Sequence, residues 1–422
     1  MRIAVIGAGM AGVAAAQALA ADGHEVTVFE RRASVAEESS FATAGLAAAA
    51  LAAPWRPAPG RLHAGKADEA SRLHPTGAAF AVPGLLGKGD AAATAQRAER
   101  ALSLHWLLAA GVARIDALTR ALGLDFERGD GLLLVQPDTA QAEQAIAWLQ
   151  ARGETAEWAD AARQRQVEPG RAIADAAPRA VWLPGARSGN TREWTQLLRA
   201  HAVHLGARFL FQHAVQSISA GPKPALRFTT GEGQADEAAF DAVVVCAALE
   251  SSRLLAPLGV ALPWKPLRGY SVTVAQHVRE TAPDSGPRGA LLDLRSGIST
   301  TRLGARIRVA GGHEAVAASA APAVPAAPPS KRQLQPLYDA LDGAFPGAAN
   351  WQQAQVWQAT RAALADGLPA VGATGVPGVW VDAGHAHHGW ALSQASAGLL
   401  CAMIAGEPAP PEAAAIAPQR LR

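Results

Sequence analysis

The chain has 422 residues, half of them hydrophobic and 18% charged, which allows a sizeable core and two domains and excludes a disordered or low-complexity protein. Lysine plus arginine number 38 against 36 aspartate plus glutamate, so charge gives no hold on nucleic acid or on an anionic membrane. Cys246 and Cys401 stand far apart in apolar runs with no C-x-x-C spacing, and read as reduced packing residues of a cytosolic protein. The apolar N-terminus is punctuated by glycines at turn spacing, unlike a leader, and no other apolar run reads as membrane-spanning.

The chain opens on "RIAVIGAG", a short buried strand over 3–6 that ends in glycine. Gly7, Gly9 and Gly12 form G-x-G-x-x-G and lead into a helix that Gly23 ends; a second strand, "HEVTVFE", finishes on Glu30. Gly7 permits a tight turn and Gly9 close approach to a pyrophosphate, while Gly12 and Ala16 let the helix settle on the strands. The helix N-terminus, around Ala8, Met10 and Ala11, favours phosphate, and Glu30 can accept from two ribose hydroxyls. Strand, glycines, helix, strand and acid in this order predict dinucleotide binding. Beyond Arg31, Ser34-x-x-Glu37 can cap a short helical turn. Ser39, Ser40, Ala42, Thr43, Ala44 and Gly45 then suit a loop pressed against a flat ligand, or an ordinary alanine-rich loop.

Seven stretches, three of them in the region just described, carry a resemblance: "AVIGAGMAGV", "GHEVTVFER", "EESSFATAG" with "APW", "KPLRGYSVTV", "ARIRVAGG", "LADGLPAVG" and "VWVDAGHAHHGW". The chain resembles the FAD-dependent D-amino acid oxidase superfamily, and most the bacterial D-amino acid dehydrogenases of the small-subunit type. The resemblance implies FAD as cofactor, with Val215 where the chain passes the adenine.

Helices are expected over 94–122, 139–153, 191–206 (opened by the capping pair Asn190 and Glu193) and 331–345. Strands are expected over 131–138, 207–218 and 240–248, then as an antiparallel set from 264 onward with a hairpin at Gly304, and again over 353–360. The Pro/Ala-rich 314–330 reads as a mobile surface loop. The fold class is α/β: a Rossmann-type FAD-binding domain with a parallel sheet, interleaved with an α+β antiparallel-sheet substrate domain. The expected boundaries are 1–92, 160–262 and 357–422 for the first and 93–159 and 263–356 for the second, with the active site between them.

Near the C-terminus a strand over 379–382, a turn and a helix from Trp390 enclose His385, His387 and His388. Metal binding is disfavoured by spacing and the lack of a close acid or cysteine partner; general-base work, a solvated turn and a flavin-facing loop stay open. The resemblance favours the last, through Gly384, His385, Gly389, Trp390 and Ala391. There a helix N-terminus pointed at the ring favours negative charge on reduced flavin by about 0.5–2 kcal/mol. His387 and His388 depart from the family's small residues.

An amino acid substrate brings a carboxylate, which calls for an arginine fork. In "ATRAALADGLPAVG" the resemblance offers Arg361, with Ala362 where the family has proline; Arg361 is an anchor or a structural arginine. Tyr270 lies on the carboxylate or merely in the sheet, and Arg302 reads as structural. The expected activity is oxidative deamination of D-amino acids to 2-oxo acids and ammonia, with Arg361, Tyr270 and His385 as catalytic candidates and quinone, a soluble carrier or O2 as acceptor. A glycine- or sarcosine-type amine oxidase and a non-catalytic FAD-binding subunit are the alternatives. Residues 56–90 lack the aromatic helices of membrane-linked relatives, so the expected location is cytoplasmic, with at most peripheral contact with the inner membrane face.

Overall fold

The computed structural model describes residues 1–52, 72–73, 91–136, 138–173, 180–277, 285–316, 324 and 327–421. Most of 56–90 and of the expected loop over 314–330 lies outside them.

A six-stranded sheet forms around the N-terminal strand Arg2–Ile6. Its order is Ala370–Ala373, Val379–Ala383, Ala242–Val245, Arg2–Ile6, Glu25–Glu30, Arg208–Phe211. All pairs are parallel except the first. Ile3, Ala4, Val5 and Val243 to Val245 are fully buried, as apolar runs in a sheet covered on both faces must be. Helix α1 (Met10–Ala21) covers one face and is buried along most of its length. A three-stranded antiparallel sheet, Ala214–Ser219, Ala225–Thr229 and Ala235–Ala239, covers part of the other through Val215, Ile218, Leu226 and Phe228.

The larger sheet runs from Ala349–Arg361 through Leu267–Gln276, Arg306–Ala315, Ile298–Leu303, Ala290–Asp293, Gly129–Val135 and Ala180–Ser188 to Leu46–Ala47. It is antiparallel except where Ala290–Asp293 meets Gly129–Val135. Strand 180–188 thus belongs here, not to the dinucleotide-binding sheet as its place within 160–262 suggested, because its ladder partners are Gly129–Val135, Glu157–Ala159 and Leu46–Ala47. The expected strand over 207–218 is two strands, broken at Gln212, whose φ is +59°. Ser34 lies in a bend and Glu37 in irregular backbone, so the pair caps no helix.

Helix α2 (Ala91–Leu122) is long and apolar enough over Ala98–Leu122 to cross a membrane by length and composition. Here Leu104, Leu107, Leu108 and Ile115, spaced along one helical face, pack into the core shared with the C-terminal helix. Helices α3 (Thr139–Gln150) and α4 (Ala161–Val167) are capped by Asp138 and Asp160, and α5 (Thr191–His204) by Asn190, which accepts from Glu193 N. After the short α6 (Glu250–Leu255), α7 (Lys331–Ala344) covers the outer face of the antiparallel sheet with Leu334, Leu337 and Leu341. The last α-helix, α8 (Gly389–Ile404), crosses α2 where a Cβ on Gly111 would stand 2.0 Å from the Ala391 carbonyl oxygen.

Candidate active site

A trough runs from the carboxyl ends of the parallel strands into the space between the two main sheets, in two adjoining cavities. Gly9, Ser39, Ser40, Cys246 and Ala248 line both.

The outer cavity is built by the glycine loop and the end of the second strand. Gly7 has φ +100°, and a Cβ on Gly12 would lie 1.8 Å from the Gly7 carbonyl oxygen, so only glycine lets α1 start here. Gly9, the N-cap of α1, brings no capping side chain, and Met10 N donates to Ser40 Oγ at 3.2 Å, at a helix N-terminus that faces the trough. Glu30 accepts from Ala8 N and Arg32 N, each at 2.7 Å, and burial raises its carboxyl above the usual range despite those bonds. Arg31, paired to Glu38 at 2.7 Å, and Val215 line the same cavity. These features fit the adenosine diphosphate half of FAD.

The inner cavity lies between loop 39–46, the loop before α8 and the antiparallel sheet. Buried Arg308 donates to Thr43 O at 3.3 Å, and Thr301 Oγ1 to Ala44 O at 2.8 Å, which ties the loop to that sheet. Gly45 has φ +69°, and a Cβ there would strike Gly189 O at 2.3 Å. Met10, Ala11, Ala44, Gly45, Gly384, His385, Gly389 and Trp390 all line the cavity. Ala391 is buried against α2 instead, although α8 itself starts at the wall. Ala248 and Ala386 hold positive φ at the wall, and Ala36 does so beside the outer cavity. Left-handed alanines are strained and persist where packing imposes them, here along the trough.

The three histidines part company. His385 Nε2 lies 3.0 Å from Asp382 Oδ1, without hydrogen-bond alignment, and 3.2 Å from Ser396 Oγ. His388 is the N-cap residue of α8, and burial pushes it down to about 4. His387 meets His313 edge to face, with ring centroids 4.3 Å apart. Burial first, then His313, Arg361 and His388, hold the His387 imidazole well below its ordinary value. Among the described residues no three His, Cys, Asp or Glu side chains form a group suited to a metal.

Arg361, at the end of strand Ala349–Arg361, lines the inner cavity, and its Nη1 lies 2.7 Å from His313 Nε2. Burial lowers it to about 10, so the guanidinium is cationic at neutral pH. No carboxylate of the described residues lies within ion-pair distance of it. Ala362 follows on the wall, its carbonyl accepting from Ala386 N at 3.3 Å.

Tyr270 is not at the cleft. Its side chain joins the cluster under α7, where its hydroxyl donates to Glu314 at 2.9 Å and accepts from Gln333 at 2.6 Å. Gly269 takes the cavity side of that strand. Arg302 donates to Gly304 O and Pro287 O, a structural role. His313 and Asp382, both on the cavity wall, were missed by sequence reasoning. A histidine directly after "AGG" at a strand end is the one signal for the first.

A dinucleotide cradle opening into an internal cavity, with a half-buried arginine at its far wall, marks a dinucleotide-dependent oxidoreductase. The chain belongs to the DAO family of FAD-dependent oxidoreductases, whose family model matches residues 2–403. It is 35% identical over 423 residues to a D-amino acid dehydrogenase of Cereibacter sphaeroides, covering 96% of this chain and 92% of that one. The fold is similar to that of L-amino acid deaminase from Proteus vulgaris (TM-score 0.72, 16% identity, 99% and 96% covered). It is also similar to glycine oxidase from Geobacillus kaustophilus (TM-score 0.71, 19% identity, 96% and 95% covered).

Proposed function

We propose that the protein oxidises D-amino acids to 2-oxo acids and ammonia as a cytoplasmic FAD-dependent dehydrogenase. The observation that carries this reading is Arg361, a half-buried cation on the inner wall with no carboxylate of the described residues within ion-pair distance. A charge drawn partly out of water is costly unless an anion meets it, and an amino acid brings that anion. The relatives named D-amino acid dehydrogenase support the substrate class and its hand.

When bound, FAD supplies the acceptor for the hydride that leaves Cα. The chain's own residues bind and orient. Arg361 holds the carboxylate, and the imidazoles of His313 and His387 wall off its side of the cavity. The amine loses a proton as the hydride leaves, and water converts the imine to oxo acid and ammonia.

The test is the visible spectrum of the purified holoenzyme, anaerobic, before and after a panel of D- and L-amino acids. Bleaching by D- but not L-forms supports the reading; flavin bands that none of the panel bleaches defeat it. The imidazoles beside Arg361 take up room and support a glycine- or sarcosine-type oxidase as second reading. Bleaching by glycine or sarcosine, with hydrogen peroxide formed in air, would select it.

A further inference from the structure

The bond between Arg361 and His313 joins residues 48 positions apart, and its polarity follows from chemistry alone. A guanidinium has donors and no acceptor, so His313 Nε2 must accept from Nη1, which requires a neutral ring with its hydrogen on Nδ1. The pair is wedged from several sides. His387 packs edge-on against His313. On the neighbouring strand, Gly269 leaves the space: a Cβ there would come within 2.8 Å of Arg361 Nη1 and 2.9 Å of His313 Cδ2. Glu314, next along from His313, is turned to the opposite face, onto Tyr270 and Gln333.

We infer that His313 is a positioning residue for substrate binding: by accepting from Nη1 it fixes the plane of the Arg361 guanidinium, so that the remaining donors of the fork meet the substrate carboxylate. Two features support it. A long arginine side chain loses substantial rotamer freedom when held in one geometry, and a partner that holds it beforehand removes that cost from the binding step. Burial, and then the adjacent Arg361 charge, keep the His313 imidazole well below its ordinary value, which preserves the accepting form at neutral pH. This inference rests on the reading of Arg361 as the carboxylate anchor.

The experiment uses the holoenzyme and propionate, a carboxylate without the amine, with its Kd read from the perturbed flavin absorbance. Three variants are compared with the wild type: His313→Leu, which removes the acceptor; His313→Gln, whose amide oxygen can take the place of Nε2; and Arg361→Ala. His313→Leu is expected to raise Kd for propionate, and KM for the amino acid, about tenfold while kcat changes about twofold or less. His313→Gln is expected to restore both to within about threefold of wild type. A Kd unchanged in His313→Leu, or equally raised in His313→Gln with the flavin spectrum intact, overturns the inference. If His313→Leu does not fold, Gly269→Ala makes the same test by crowding Nη1; an unchanged Kd there also overturns it. Propionate binding that Arg361→Ala does not weaken removes the anchor, and this inference with it. Arg361-dependent propionate binding without oxidation of any amino acid would leave the inference standing and defeat only the proposed reaction.

Discussion

Gly269 and Tyr270 are consecutive on one strand and serve opposite faces of the antiparallel sheet. The first leaves room beside Arg361 in the cavity, and the second is buried beneath α7. Tyr270→Phe is therefore expected to leave KM and kcat within about twofold of wild type. It should lower stability by about 1–2 kcal/mol, since Glu314 and Gln333 lose a buried partner. A tenfold rise in KM at unchanged thermal midpoint would put the hydroxyl back in the catalytic site.

Arg361→Ala should bind FAD normally and raise KM for the amino acid by about 100-fold, the loss expected for charge-assisted hydrogen bonds to a carboxylate. Arg361→Lys keeps the charge without the fork and should recover about tenfold of that loss. Anaerobic titration of flavin bleaching reads both. Normal KM in the alanine variant would assign the arginine a structural role.

Gly12→Ala places a methyl group 1.8 Å from the Gly7 carbonyl oxygen, so α1 must move off the loop. The purified variant is expected to be nearly colourless, its ratio of visible to ultraviolet absorbance falling about tenfold or more. A fully yellow Gly12→Ala protein would show that the cradle tolerates the shift.

Glu30→Ala removes a carboxylate that accepts from Ala8 N and Arg32 N and lines the outer cavity. FAD affinity should fall about 10- to 100-fold, with Glu30→Gln intermediate because one carbonyl oxygen remains. Equilibrium dialysis against free FAD measures it, and equal affinities across the three proteins would exclude Glu30 from the cofactor site.

Acid should destabilise the fold through its buried histidines. His388 titrates near 4 when folded against about 6.5 when unfolded. Between those values the unfolded chain binds the extra proton, so stability is fully present above about pH 6.5 and falls as pH is lowered towards 4. The contribution is on the order of 3 kcal/mol, and His313 and His387 are shifted in the same direction, mainly by burial. Thermal midpoints measured between pH 7 and pH 4.5 should fall less in His388→Leu than in wild type. Parallel curves would show that His388 does not contribute.

The parts that were legible in sequence are those in which cause and effect lie within a few residues. Gly7, Gly9 and Gly12, the buried strand before them and Glu30 at the end of the next specify the cradle because turn sterics, strand burial and helix packing act locally. The same holds for the Asn190 cap, the hairpin at Gly304 and the strand, turn and helix around His385. The strand before Arg361 was legible but its ends were not, since 353–360 was expected and Ala349–Arg361 is found, and the partner of Arg361 was not legible either.

Tertiary structure alone decided which face of a strand became the cavity. Alternation says that Gly269 and Tyr270 point apart, yet only the docking of α7 on one side and loop 39–46 on the other assigns inside and outside. A register shift between Arg268 and Tyr270 adds an offset that no local pattern announces. The same holds for strand Ala180–Ser188, drawn into the antiparallel sheet by partners distant in sequence, and for His313, which meets Arg361 only when strands 306–315 and 349–361 flank strand 267–276. Local sterics choose the elements of this protein; ladder register and the covering of each sheet face, which depend on residues far apart in the chain, choose which side chains share its site.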